Sequence, residues 1–258
     1  MEDQVSDRRR FLKSAAAGSA AVAVGVPASA PAQAPAPAAA PKPPALPQGY
    51  AYLNPEEQAF VEALVDHMIP ADANSPKGTD VGINIYIDRA CAGSWGKGDR
   101  LYQSGPWKLG APSQGYQLPL TPAELYRAGI AATNKHSAKT YGKQFDKITP
   151  DQREQLLVAM ADGKVIFESG PPAGVFFGVV YQTVMEGMFA DPIYGGNRDK
   201  AGWKLVGFPG VAASYGEFID KHNVPYNAEP VSIADVQQRL VGVDEHGHPK
   251  HVLLSKKD

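Results

Sequence analysis

Cysteine is nearly absent from this sequence, and its scarcity excludes several chemistries. Cys91 is the only cysteine among 258 residues. A single cysteine rules out an internal disulfide framework, a metal site built from cysteine ligands, and the Cys-x-x-Cys-His motif that attaches haem. Cys91 itself is interpreted as a buried structural thiol, the commoner fate of a lone cysteine, or as half of an intermolecular disulfide to a partner.

Nucleotide-binding motifs are also missing. No Gly-x-Gly-x-x-Gly follows a predicted strand, as binding of FAD or NAD by a dinucleotide fold would require, and there is no phosphate-binding loop. The glycine-rich run at 93–98 lacks the preceding strand and the spacing, so it is interpreted as a turn. We therefore predict no catalytic, cofactor-binding or metal-binding residues in this chain.

The sequence lacks a strong charge imbalance and a long, strongly apolar run. Its net charge is -2 and its pI is about 6.3, which argues against a nucleic-acid partner. The most apolar internal stretch, residues 172–189, contains Gln182 and Glu186 and is not predicted to span a membrane. We predict instead that it forms a central buried helix, because it is apolar almost all round.

An export signal opens the chain. Paired arginines followed by Phe-Leu-Lys form the twin-arginine (Tat) pattern, and a short Ala/Val/Gly run comes next. The residues of this pattern are Arg8, Arg9, Phe11, Leu12 and Lys13. Cleavage after Ala32 fits best, because small residues precede it. The alternative is a disordered basic N-terminus.

This signal predicts a periplasmic protein in three parts. Residues 1–32 are the signal peptide, residues 33–50 are an Ala/Pro-rich linker, and residues 51–258 are the folded domain with an irregular C-terminal tail.

Three helix starts share one device, in which a capping residue precedes proline and a Glu or Gln follows at the third helical position. They begin at Asn54, Thr121 and Thr149, and apolar residues at helical spacing follow each one. The helices are predicted to end at Pro70, Gly142 and Gly163. We therefore predict a mainly α fold, a single helical domain with long, structured Gly/Pro-rich loops.

Residues 80–91 are ambiguous. Ile83, Ile85 and Ile87 alternate with polar residues, as in a half-buried strand. No second strand of similar quality is available to pair with this one, and an isolated strand is not stable. A helix is therefore predicted here.

Residues 191–210 read Asp-Pro-Ile-Tyr-Gly-Gly-Asn-Arg-Asp-Lys-Ala-Gly-Trp-Lys-Leu-Val-Gly-Phe-Pro-Gly. Glycines and prolines force turns here, while aromatic and aliphatic residues can hold the segment against the fold. The pattern predicts a shaped, packed loop, either a docking surface or a cover over the core. Residues 95–119, with two tryptophans among Gly, Ser and Pro, predict a second long loop and candidate contact surface.

The order Asp-Pro-x-Tyr-Gly-Gly-Asn-x-Asp-x-x-Gly-Trp, followed by Gly-Phe-Pro-Gly, resembles the signature of the gluconate 2-dehydrogenase subunit 3 family. Members are small subunits of membrane-attached, FAD-dependent sugar and sugar-acid dehydrogenases. The resemblance extends from the helix around Glu62 to Gly210 and is looser from Val211 onward. We call residues 191–210 the signature loop.

The resemblance implies two partners. One is a flavoprotein large subunit that holds FAD and removes hydride from a carbohydrate hydroxyl, and the other is a multihaem cytochrome c subunit that carries haem c. This chain would itself be non-catalytic, would stabilise and co-export the large subunit, and would meet the membrane only through the complex. The candidate interface residues are Tyr194, Gly195, Gly196, Asn197, Arg198, Trp203 and Phe208.

The export signal leads to the same expectation by a separate argument. Twin-arginine export carries folded proteins and is chiefly useful when a cofactor must be inserted first, yet this chain has no cofactor motif. The cofactor is therefore predicted on a partner. The rival hypothesis is a free-standing periplasmic helical protein, either a cofactor-independent enzyme or a ligand-binding module built around residues 95–107 and 194–203.

Two histidine-containing groups remain. Asp66 and His67 are adjacent on a predicted helix and point in different directions, so a surface pair is favoured over a catalytic one. His246, His248 and His251 resemble a metal site, but no carboxylate or cysteine set accompanies them, and a mobile tail is favoured.

Overall fold

Helices account for the regular structure in the part of the chain that the structure describes. The structure, a computed structural model, describes residues 49–108, 110–211 and 218–252. Within these ranges the helices are α1 (Pro55–Met68), α2 (Gly78–Val81), α3 (Ile83–Ala92), α4 (Pro122–Tyr141), α5 (Pro150–Ala161), α6 (Ala173–Phe189), α7 (Ala201–Val206) and α8 (Ile233–Gln237). The described residues form no sheet, only isolated bridges. The prediction of a mainly α fold is confirmed.

The predicted signal peptide and nearly all of the linker lie outside the described residues. The same holds for every residue of the twin-arginine pattern, namely Arg8, Arg9, Phe11, Leu12 and Lys13.

The three predicted capping boxes start α1, α4 and α5. In α1 the Asn54 side chain accepts the N–H groups of Glu56 and Glu57, and the Glu57 carboxylate accepts the Asn54 N–H at 2.9 Å. Thr121 and Thr149 repeat the arrangement at α4 and α5. Each cap satisfies amides that the first helical turn leaves unpaired, so these helix starts are specified by local sequence.

Residues 80–91 are helical, as predicted, except for a left-handed break at Gly82 between α2 and α3. Ile83, Ile87 and Cys91 lie four residues apart on one face and are each at most 2% exposed, whereas Ile85 is only half-buried. Spacing by four places side chains on one face of a helix. The alternation that resembled a strand is therefore incidental, and one helical face carries the burial.

Helix α6 is central, as predicted, but it is buried on one side only. It packs against α3, α4, α5 and α7, and Phe176, Val180 and Val184 are buried. Val175 and Tyr181 are 39% and 51% exposed, because the packed helices cover only one side of α6. None of the described helices is long and apolar enough to cross a membrane.

Aromatic side chains join the helices into one core. Phe60 of α1 lies 4.5 Å from Phe145 and 6.4 Å from Phe176 of α6, measured between ring centroids. Tyr126 of α4 meets Phe176 edge-on at 5.9 Å and bonds Thr183 through its hydroxyl. Each such pair contributes about 0.5–1.5 kcal/mol beyond burial, so the loops rest on a rigid base.

A buried carboxylate anchors the chain where the domain begins. Asp88 of α3 is fully buried and accepts the N–H groups of Ala51, Tyr52 and Leu53 at 2.6, 2.9 and 2.8 Å. Because this carboxylate is satisfied by three amides, it holds the residues ahead of α1 against α3.

Candidate functional site

The signature loop leaves the end of α6 and is tied down at its first residue. Asp191 is 9% exposed. One of its carboxylate oxygens accepts the Ile193 N–H at 3.0 Å, and the other accepts the Ile233 N–H at 2.8 Å. Asp191 therefore starts the loop's first turn and also joins the loop to the start of α8.

Asn197 closes the loop from the inside. Its side chain is fully buried, donates to the Ala190 carbonyl at 2.9 Å and accepts the Gly202 N–H at 2.9 Å. Its φ of 47° is left-handed, a conformation that asparagine tolerates better than most residues. The amide therefore holds the loop's start against α7, and we interpret Asn197 as a positioning residue behind the exposed surface.

Asp199 and Lys200 are also left-handed, with φ of 57° and 58°. Such residues cost free energy and persist only where surrounding contacts compensate for them. Lys200 supplies one such contact, an ion pair with Asp235 at 2.9 Å between side chains that are each 20% exposed.

Gly196 lets the loop lie directly on α6. A Cβ at this position would sit 2.2 Å from the Gly187 carbonyl oxygen, closer than atoms can approach. Glycine is required here because two backbone segments meet without space for a side chain.

The Trp203 side chain lies on the buried side of the signature loop and not on its exposed surface. It is 5% exposed, its indole N–H donates to the Phe189 carbonyl at 2.7 Å, and its ring meets Phe208 edge-on at 5.2 Å. The structure therefore gives Trp203 a packing role within this chain. Its position does not support the prediction that it contacts a partner directly.

Four large apolar side chains of the loop are exposed, and we call them together the apolar patch. Tyr194 is 57% exposed, and Leu205, Val206 and Phe208 are 50%, 60% and 46% exposed. Sequence reasoning missed Leu205 and Val206. The signal that could have found them is their position in a short helix whose buried side is already occupied by Trp203. Large exposed apolar side chains on a packed loop are candidates for contact with a partner.

Arg198 and Gly195 lie where the loop meets α2 and α3. Arg198 is exposed, and one of its terminal nitrogens donates to the Asp80 carbonyl at 3.0 Å. Of the predicted interface residues, Tyr194, Arg198 and Phe208 therefore reach the surface, while Gly196, Asn197 and Trp203 are buried supports.

The second predicted contact surface, residues 95–119, is more open. Trp95 is 37% exposed and its ring lies 6.3 Å from Tyr126. Tyr102 and Trp107 are 82% and 41% exposed.

Cys91 is a buried thiol in the structure. It is 2% exposed, and burial raises its pKa to about 12, with Asp88 and Glu57 adding to the effect. A protonated thiol without access to solvent is unreactive. The structure therefore favours a structural role and does not support an intermolecular disulfide through Cys91.

The remaining polar candidates do not converge. Asp66 bonds Lys77 and the Thr79 N–H, whereas His67 bonds Glu154 at 2.7 Å. The adjacent pair therefore points apart, as predicted for a surface pair.

The tail histidines each contact a different partner. His246 and His248 pair with Glu245 and Asp244, whereas His251 lies against the Val211 carbonyl. Across the described ranges, no three His, Cys, Asp or Glu side chains are grouped to hold a metal ion.

A cleft of about 300 Å³ lies elsewhere, between α4 and the segment before α6. Lys135 and Lys139 both pair with Glu168 there, at 3.0 and 2.6 Å. These lysines lower the pKa of Glu168 to about 2, with Lys139 contributing most. The cleft involves no residue of the signature loop.

These features define a class of protein, a helical domain that presents a glycine-shaped loop with an exposed apolar surface. A family model for gluconate 2-dehydrogenase subunit 3 matches residues 55–210, more than half of the chain, and the match ends with the last residue of the signature loop. The chain belongs to the gluconate 2-dehydrogenase subunit 3 family. Membership implies a multi-subunit dehydrogenase complex. Comparisons with curated proteins and with solved structures each return no match.

Proposed function

We propose that this chain is the non-catalytic small subunit of a periplasmic, FAD-dependent dehydrogenase that oxidises a sugar or sugar acid. In this proposal it stabilises the flavoprotein subunit and carries it through the Tat pathway. The observation that supports the proposal most is the family match, which includes the whole signature loop.

The proposed division of labour assigns FAD to the large subunit and haem c to a cytochrome subunit. The absence of a nucleotide-binding motif from this sequence supports that assignment, because an FAD-binding chain needs a fold that holds the pyrophosphate. Hydride removal from a carbohydrate hydroxyl would then occur in the large subunit, and electrons would pass through the cytochrome. The complex, and not this chain alone, would meet the membrane.

The apolar patch supports a stabilising role. Tyr194 and Phe208 stand on a loop whose interior is held by Asn197 and Trp203, so little ordering free energy would be lost when a partner binds. Removing a central aromatic side chain from such an interface costs on the order of 2 kcal/mol of binding.

The first experiment tests the location of the flavin. The mature chain purified alone should show no flavin absorbance and no dye-linked sugar oxidation, whereas the complex purified through a tag on this chain should show both. Stoichiometric FAD in the isolated chain would overturn the assignment.

The second experiment tests the carrier role. Replacing Arg8 and Arg9 with lysine keeps the charge but removes the planar guanidinium groups, and should retain both this chain and the flavoprotein in the cytoplasm. Arg10→Lys is the matched control, because Arg10 is the variable residue of the pattern, and it should leave export intact. A retained small subunit with a normally exported flavoprotein would refute co-export while leaving the structural role standing.

The rival function, a free-standing ligand-binding protein or enzyme, makes the opposite prediction. The tagged chain would then be recovered from the periplasm without a flavoprotein, even under mild extraction.

A further inference from the structure

Arg89 lies directly against the signature loop. It belongs to the last turn of α3 and is half-buried. A Cβ added at Gly195 would lie 2.5 Å from one terminal nitrogen of Arg89 and 3.1 Å from its guanidinium carbon. Gly195 also has a φ of 104°. The backbone conformation therefore favours glycine there, and the arginine head group occupies the space beside it.

The guanidinium group of Arg89 has no partner in the described part of the chain, where it makes no hydrogen bond and no ion pair. The neighbouring carboxylate, Asp88, is already occupied by the N–H groups of residues 51–53. A guanidinium has five donors in a fixed plane, and those of Arg89 remain available.

The adjacent side chain is a second cation. Arg198 reaches over Gly82 and uses one donor for the Asp80 carbonyl. Burial lowers the pKa of Arg89, Asp88 opposes this change, and Arg198 adds to it. Gly195 lies against Arg89, and the Gly195 carbonyl lies beside Gly82, which Arg198 also reaches. Guanidinium groups carry positive charge, so a carboxylate that reaches both side chains would be attracted by both.

We propose that Arg89 and Arg198 together form the docking point for a carboxylate side chain, Asp or Glu, of the flavoprotein subunit. The inference rests on the proposed function and adds the chemistry of the contact. Guanidinium groups bind carboxylates through paired, charge-assisted hydrogen bonds. Tyr194, which precedes Gly195 in the chain and is 57% exposed, favours a protein source, because an exposed ring adds contact area to a protein surface and little to a small free anion.

The test uses the native complex. Full-length tagged chain is purified from its host with the accompanying FAD-containing polypeptide, which is identified by its flavin spectrum and peptide sequence. The dissociation constant of the recombined subunits is then measured for the wild type, Arg89→Gln, Arg198→Gln and the control Lys147→Gln. Lys147 is an exposed cation in a turn that packs against α1 and α4, so this control removes the same charge at a different place.

Arg89→Gln and Arg198→Gln should each raise the dissociation constant at least about tenfold and reduce its dependence on salt, while Lys147→Gln should match the wild type. Circular dichroism and thermal unfolding check that the variants fold. Arg198 is exposed, so its variant keeps the test informative if Arg89→Gln is unstable.

Unchanged binding by both arginine variants would overturn this inference and leave the proposed function standing. Failure of the wild type to recover any flavoprotein would overturn both. A third arm addresses small anions: if phosphate or gluconate raises the thermal midpoint of the isolated wild type but not of Arg89→Gln, the occupant is a free anion and the carboxylate contact is refuted.

Discussion

Two loops of this protein have similar compositions and different structures. The signature loop and residues 95–119 both combine glycine, proline and large aromatic residues. In the signature loop Asn197 is fully buried and Trp203 is 5% exposed, whereas in the second loop Tyr102 and Trp107 are 82% and 41% exposed. Composition alone therefore does not distinguish a packed loop from an open one.

The difference lies in where the hydrogen bonds go. The signature loop bonds distant elements, since Asp191 accepts the Ile233 N–H and Trp203 donates to the end of α6. In the second loop the Gly96 carbonyl accepts the Ala123 N–H near the loop's start, but within residues 110–117 Gln114 and Gln117 bond the N–H groups of Ala111 and Gly110, only a few residues away. Long-range bonds fix a loop against the fold, and local bonds only shape it.

The largest expected effect is the loss of stability when the buried tryptophan of the signature loop, Trp203, is removed. Trp203→Ala should lower the free energy of unfolding by about 3–5 kcal/mol, because it leaves a cavity and an unpaired Phe189 carbonyl. Urea unfolding followed by circular dichroism measures this. If Trp203→Ala keeps wild-type stability and loses only partner binding, the packing role derived from its burial is wrong.

The next effect concerns backbone contact beneath the signature loop. Gly196→Ala should destabilise by about 1–3 kcal/mol, because its Cβ would meet the Gly187 carbonyl at 2.2 Å. A Cβ added at Gly178 in α6 would have no neighbour within 4 Å outside its own helix. Gly178→Ala should therefore raise the free energy of unfolding by roughly 0.5–1 kcal/mol. Thermal midpoints of the two variants should move in opposite directions, and equal shifts would contradict this reasoning.

A smaller, pH-dependent effect is expected at the Lys200–Asp235 pair behind the loop. Burial alone would raise the pKa of Asp235, but bonds from Ser232 and Lys200 outweigh it and lower that pKa. The pair's contribution to the free energy of unfolding is therefore complete above the unfolded-state pKa of about 3.9. It is lost as the pH falls through the lower folded-state pKa of Asp235.

Asp235→Asn should accordingly cost about 1 kcal/mol at neutral pH and progressively less in acid. Unfolding of both proteins across this pH range measures the convergence. A difference that persists at pH values well below the folded-state pKa would point to shape, not charge, as the cause.

The smallest effect is expected in the open loop. Trp107→Ala should change the free energy of unfolding by less than about 0.5 kcal/mol, because the residue is partly exposed and its loop is bonded locally. The same urea titration applies as for Trp203→Ala. A loss comparable to that of Trp203 would show that the 95–119 loop is integral to the fold, and the contrast between the loops would fail.

Local sequence determined the helix starts and stops, since Asn54, Thr121, Thr149 and Gly142 act on amides or carbonyls within a few residues of themselves. The 191–210 signature likewise identified the family, because its order of glycines and aromatics is specific and is confirmed by the match over residues 55–210.

Tertiary structure decided which side chains face outward. It buried Trp203 and Cys91, exposed one side of α6, and placed Arg89 over Gly195 from an element distant in sequence. Burial and like-charge proximity depend on contacts between remote segments, and those contacts leave no local periodicity to read. The capping boxes, whose partners lie within one turn, could be predicted from sequence alone, whereas the guanidinium pair of Arg89 and Arg198 required the folded chain.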